Sequence, residues 1–168
     1  MSFSTSDFAL LAERVAVLEA ESALRLLVNR YMALCDVPGP TERAQALGRL
    51  FCEDASWQGI GSRYARKFGR LEGREAIVDM LMGYLPPSPH FQFNAHFLGG
   101  EHIRIDGAKA RGQWLMQQLS RYDAERGEAI VAALNLEFRQ VDGTWLISSF
   151  TTERLDACPL ARNPGVQS

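Results

Sequence analysis

Phe93-Asn94-Ala95-His96-Phe97-Leu98-Gly99-Gly100-Glu101-His102-Ile103-Arg104-Ile105-Asp106-Gly107 carries the first signs of a long, bent sheet. Residues 91–106 are expected to form a strand region, with Gly99-Gly100 as a bend or bulge within it. Asp106-Gly107 then supplies a hairpin turn, and Asp142-Gly143 supplies a second one downstream. Between and after these turns, 109–122, 129–141 and 144–154 read as the remaining long strands. Strands of ten or more residues favour a strongly bent sheet over a flat one.

Upstream the pattern changes to a helical period. Phe8, Leu11, Val15, Leu18, Leu24, Leu27, Val28, Tyr31 and Leu34 recur at helical spacing, after Ser6 and Asp7 as N-caps. Ser22 could restart the helix, so either one helix or two meeting near Glu21 fits. Pro38-Gly39-Pro40 ends the element, because proline lacks the amide donor and restricts its predecessor. Thr41 caps a shorter helix with Ala44, Leu47, Leu50 and Phe51 on its apolar side. A short strand follows over 55–60, then a basic loop or strand edge over 63–70, then a third helix over 73–85 stopped by Pro86-Pro87. Helices first and a meander afterwards predict an α+β fold, with three N-terminal-half helices on one face of a curved antiparallel sheet. Residues 1–156 are expected as one domain and 157–168 as a loose C-terminal tail.

Bulk properties narrow the function. The chain has 168 residues, 46% hydrophobic and 23% charged, with a net charge of −2, which suits one soluble domain with one core. Basic residues form no long run, so nucleic acid is not an expected partner. No apolar run reaches the ~18 residues of a membrane span, and no secretion signal is visible at the N-terminus. Cys35, Cys52 and Cys158 form no C-x-x-C pair and are expected reduced in a cytoplasmic protein. The His spacing offers no metal site, and no phosphate loop follows Gly59 and Gly61, so no cofactor is expected.

His96 is the residue on which chemistry turns. It is one of three histidines, and large apolar residues surround it. It is either a core polar group satisfied by a carbonyl or a general base in an apolar pocket. A carboxylate on one imidazole nitrogen would fix the tautomer and leave the other as a base. Asp36, just before the proline breaker, is the candidate partner; Tyr31 lies five residues earlier, about 500° around the helix. Both can approach one cavity from a helix end. Strand alternation places Asn94 and Leu98 with His96, Trp114 with Met116, Leu134 with Ile130, Ala132 and Leu136, and Phe150 with Arg154. His90 and His102 read as surface or edge residues.

The ordered segments Leu26-Leu27-Val28-Asn29-Arg30-Tyr31, Asp36, Leu50-Phe51-Cys52-Glu53-Asp54-Ala55-Ser56-Trp57, 69–77, Ala95-His96-Phe97-Leu98-Gly99 and 141–147 resemble the SnoaL-like branch of the nuclear-transport-factor-2-like superfamily. Scytalone dehydratase, hexachlorocyclohexane dehydrochlorinase, bile acid 7α-dehydratase and ketosteroid isomerase belong to that group. The resemblance spans residues 8 to 155 and implies a cone-shaped, cystatin-like sheet around a deep apolar pocket. It implies that Asp36 holds His96, that Tyr31 binds or polarises a carbonyl, and that Trp57 is a pocket aromatic. Two departures stand out. Val37-Pro38-Gly39 replaces a second acidic residue, and Phe150 stands where several relatives carry arginine, with Arg154 four residues on.

The resulting expectation is a cofactor-independent lyase or isomerase acting on an apolar, cyclic small molecule. His96, Asp36 and Tyr31 would be catalytic; Trp57, Asn94, Trp114, Met116, Leu134, Phe150 and Arg154 would bind substrate. Dehydration leads, with isomerisation, cyclisation and dehydrohalogenation open. A homodimer or homotrimer fits the resemblance. The alternatives are a non-catalytic ligand-binding or oligomerisation module, and an accessory subunit like the small subunit of ring-hydroxylating dioxygenases.

Overall fold

Ser4, not Ser6 or Asp7, caps the first helix. The computed structural model describes residues 4–161 and places α1 over Thr5–Cys35. The Ser4 side chain accepts from the Asp7 amide at 3.2 Å, and the Asp7 carboxylate accepts from the Ser4 amide at 2.8 Å. This reciprocal pair satisfies two of the amides a helix start leaves unpaired. Asp7 therefore sits three residues inside the cap. The helix runs unbroken through Glu21, whose carboxylate pairs with Arg25 one turn on at 2.9 Å. Arg25 also reaches Glu101 at 2.7 Å and so ties the helix to the sheet. Burial begins only at Leu24; Phe8, Leu11, Val15 and Leu18 are exposed.

The remaining elements are α2 (Arg43–Gly48), β1 (Phe51–Ile60), α3 (Gly61–Phe68), β2 (Arg70–Glu72), α4 (Arg74–Met82), β3 (Phe93–Asp106), β4 (Lys109–Arg121), β5 (Gly127–Val141) and β6 (Thr144–Pro159). The six strands form one curved, unclosed sheet in the order β2-β1-β6-β5-β4-β3. The α+β cone is thus the fold, with helices in the N-terminal half.

The structure refines several local expectations. The basic segment after Gly61 is the helix α3, not a loop or strand edge. Leu50 and Phe51 leave the second helix, and Phe51 opens β1. The meander β3–β6 is antiparallel, but β1 joins β6 in parallel, with Trp57 opposite Phe150. β6 continues to Pro159, where it pairs with Glu128, so its end lies inside the segment expected as tail. Residues 162–168 of that segment lie outside the described residues.

Bulges bend the sheet. The register shifts between Gly99 and His102 on β3, and between Val131 and Ala132 on β5. Asp142 and Gly143 both take positive φ (49° and 76°), which matches the right-handed twist of a two-residue hairpin. Inside the concavity, Leu24 and Val28 of α1, Ile77 of α4 and Phe51, Leu134 and Ile147 of the sheet are fully or nearly fully buried. No helix among the described residues is long and apolar enough to cross a membrane.

Candidate active site

The exit of α1 is fixed by a residue that the sequence did not single out. Arg43, 3% exposed, donates to the carbonyls of Leu34 (3.0 Å), Asp36 (2.6 Å) and Pro40 (2.6 Å). A helix C-terminus leaves its last carbonyls without amide partners, and a buried guanidinium satisfies them with a fixed fork of donors. The next residue after Asp36 is then zipped to the sheet: Val37 and Asn94 exchange backbone hydrogen bonds at 2.8 and 2.9 Å. The Asn94 amide donates to the Cys35 carbonyl at 3.1 Å, and its oxygen accepts from Gln118 (2.9 Å) and Ser120 (2.8 Å). Asn94 lines the cavity, but its side chain is committed to holding α1 against β3 and β4.

That clamp sets the distance between Asp36 and His96. Asp36 Oδ1 accepts from the His96 backbone amide at 3.0 Å and lies 2.8 Å from His96 Nδ1. A carboxylate only accepts, so Nδ1 carries a proton, and Nε2 is the nitrogen that holds the lone pair in the neutral imidazole. The His96 side chain is 8% exposed and lines the cavity. Among the described residues, Nε2 has no hydrogen-bond partner.

The cavity lies between the concave sheet and α1, α3 and α4, with a volume of about 130 Å³. A closed apolar cavity of about 150 Å³ accepts benzene, so the enclosed part has room for roughly one ring. Trp57 and Phe150 stack at 5.6 Å on one wall, and Phe68 meets Trp57 edge-on at 5.2 Å. Trp57 Nε1 donates to the Tyr31 hydroxyl at 3.3 Å. Burial raises the Tyr31 pKa well above its ordinary value, and the adjacent Cys35 thiol raises it further against the opposing Trp57 bond. Tyr31 is accordingly a neutral phenol at the cavity wall. Burial pushes the Cys35 thiol up to about 12.

Met116, Leu134, Phe150 and Arg154 also line the cavity. Trp114 does not. It sits opposite Leu134, one cross-strand row beyond Met116, packs edge-on against Phe138 at 6.2 Å, and donates Nε1 to Glu101 at 3.3 Å. Alternation assigned its face correctly, and its row partner Leu134 does line the cavity, but the indole packs toward Phe138 and Glu101 and does not reach it.

His90 is not a surface residue either. Its ring is half-buried among Phe91, Tyr84 and Tyr122 at 4.4–5.4 Å, and burial lowers its pKa, aided by Lys67 and Arg126.

Sequence reasoning also missed Gln118, Tyr122, Glu128 and Lys67, all at the cavity. Gln118 shares Met116's face by alternation and was accessible to that signal. Lys67 gave no signal, because its helix was not expected. No group of three or more His, Cys, Asp or Glu residues among the described residues is placed to hold a metal ion.

Comparison with known proteins agrees with this geometry at the level of fold. A hexachlorocyclohexane dehydrochlorinase (LinA, type 2) superposes with a TM-score of 0.75 at 19% identity, over 91% of this chain and 99% of that one. A putative scytalone dehydratase from Novosphingobium aromaticivorans gives 0.70 at 18% identity, over 90% and 96%. An NTF2-like protein with a cystatin-like fold from the same organism gives 0.73 at 24% identity, over 93% of each. A comparison with curated proteins found no match. Residues 16–151 match the SnoaL-like domain, and the chain therefore belongs to the SnoaL-like family of the NTF2-like superfamily.

Proposed function

We propose that this protein is a dehydratase-like lyase or an isomerase that acts on an apolar, cyclic small molecule and needs no cofactor. The observation that carries the reading is the 2.8 Å contact of His96 Nδ1 with Asp36 Oδ1 at the wall of an apolar cavity. His96 Nε2 takes a proton from a carbon next to a carbonyl. The C–H electron pair moves into an enolate, whose oxygen the neutral Tyr31 hydroxyl supports by donating to it. Asp36 stabilises the imidazolium that forms. In dehydration, the enolate collapses and expels a β-hydroxyl, which takes the proton back from His96 and leaves as water. In isomerisation, the same proton returns to a different carbon. Trp57, Phe150, Met116 and Leu134 supply the apolar walls, and Asn94 positions His96 rather than touching substrate.

The test is deuterium uptake from D₂O into a panel of cyclic ketones and enones, followed by NMR. General-base catalysis is worth about 10²–10⁴-fold, so His96→Ala should slow exchange by that factor with the fold intact. Undiminished exchange in His96→Ala would remove the base assignment.

The outer face of the sheet exposes Phe93, Phe97, Leu115, Val131 and Leu155. These side chains favour a homo-oligomer built on that face, measurable as mass by light scattering. A monomer at tens of micromolar would count against it.

A further inference from the structure

Helix α3 places Arg63, Arg66 and Lys67 within little more than one turn. Lys67 is exposed but leans over the cavity rim: its ammonium lies 4.9 Å from the Phe68 ring centre and 5.1 Å from that of Tyr84, and all three residues line the cavity. The aromatic faces offset part of the loss of water around the cation. Burial pulls the Lys67 pKa down, while Glu128 pulls it up and Arg154 pulls it down.

Glu128 is bound by two other donors. Its Oε1 accepts from the Tyr122 hydroxyl at 2.5 Å, and its Oε2 accepts from Arg154 at 2.7 Å. Burial raises the Glu128 pKa, but Tyr122, Arg154 and Lys67 together bring it below its ordinary value. Among the described residues Lys67 has no ion pair. Two cations against one carboxylate leave a surplus positive charge at this end of an apolar cavity. The surplus continues outward: a second depression shares Tyr64, Lys67 and Arg154 with the cavity and is otherwise lined by Ser62, Arg63 and Arg66, with no acidic side chain. Glu153 lies nearby, against Gly61 at the start of α3.

We propose that the Lys67–Arg154 end of the cavity binds the carboxylate of an apolar cyclic acid. Lys67 is exposed at the rim of the cavity, so water covers part of its charge; a ligand carboxylate supplies the counter-charge missing at this end while its ring fills the apolar walls. One negative charge matches the surplus. The basic depression at the surface focuses the field and draws such an anion inward.

Sheet register fixes the span. His96 pairs with Gln118, Gln118 pairs with Ile130, and Glu128 lies two residues before Ile130 on β5. Two strand spacings and two residues of rise put the Cα atoms of His96 and Glu128 about 12 Å apart along the sheet, and less across its curve. A single ring bearing a carboxylate bridges the gap left between the side chains. The assignment of the reacting carbon to the other end of the ligand rests on the reading of His96 as base; the binding of the carboxylate does not.

Calorimetric titration of the full chain with 4-ethylbenzoate and its uncharged isostere 4-ethylbenzamide tests this. A charge-assisted hydrogen bond exceeds a neutral one by enough to give the acid about a tenfold advantage in the unaltered protein. Lys67→Met should bring acid and amide within twofold. Glu128→Gln keeps the side-chain shape and should widen the preference, an outcome that misfolding cannot produce. His96→Ala should leave the preference in place. Equal affinity for the two compounds in the unaltered protein, no acid binding at 2 mM, or a preference untouched by Lys67→Met would overturn the proposal. Acid binding that survives in a protein with no deuterium exchange would sink the base assignment and leave the carboxylate site standing.

Discussion

Replacing Asp36 by Asn tests how the carboxylate acts on His96. Two outcomes are distinct in size. If the Asn amide turned its NH₂ to His96 Nδ1, the ring would take the wrong tautomer, a defect worth about 10⁴-fold in a serine-protease triad. The structure argues against that turn. Asp36 Oδ1 is held by the His96 backbone amide at 3.0 Å as well as by Nδ1 at 2.8 Å. A backbone N–H demands an acceptor, so the Asn oxygen takes the same place and the Nδ1–H tautomer stays. What is lost is the negative charge facing the imidazolium. A hydrogen bond to a charged group is worth about 1.5–3 kcal/mol and a neutral one about 0.5–1.5. The difference, about 1–2 kcal/mol, becomes a rate loss of about 5- to 30-fold at 1.36 kcal/mol per tenfold. The Asp36 side chain is 31% exposed, so solvent screens the charge and keeps the loss from rising further. The assay is the deuterium-exchange rate, read beside the ¹⁵N shifts of the His96 ring. A loss of 10³-fold or more with an inverted tautomer, or no loss at all, would refute this account.

Other perturbations separate structural from binding roles. Arg43→Met removes donors from three carbonyls in a buried corner; a loss of about 3 kcal/mol is expected, lowering the melting temperature in calorimetry by about 6–12 °C. Trp114→Phe breaks the bond to Glu101 and should cost about 1 kcal/mol of stability while leaving ligand affinity unchanged; Trp57→Phe, at the cavity wall, should weaken ligand binding, and the reverse ranking would misplace both residues. Cys158 is exposed while Cys35 and Cys52 are buried, and the Cys35 thiol is pushed up to about 12. Iodoacetamide at pH 8 should therefore label Cys158 alone in the native protein and all three thiols in denaturant, as read by intact mass.

The legible parts of this chain are those governed by local physics. Glycine pairs and Asp-Gly turns marked where strands bend and reverse, because few other residues adopt positive φ there. Pro38-Gly39-Pro40 marked the end of α1, because proline has no amide to continue it. The side chains facing one way along a strand followed from alternation, which put Met116 and Leu134 correctly at the cavity. Alternation failed for Trp114, because it names a face and not the direction in which a large ring packs. It could not have found Arg43, whose donors reach carbonyls from three to nine residues away.

Fold class and the candidate pair, Asp36 and His96, were legible along the chain, since period, turn chemistry and residue type are local properties. Packing in three dimensions made the pair meet. Sixty residues separate the two, and what closes that gap is the Arg43 cap, the Val37–Asn94 bridge and the Asn94 hydrogen bonds acting together. It also decided that Lys67 belongs to the cavity. A lysine on a short basic helix ordinarily points into open solvent; here the Phe68 and Tyr84 rings flank its ammonium at the cavity rim, and Arg154 pairs with Glu128. Such partnerships depend on which elements pack together, and no local pattern encodes that.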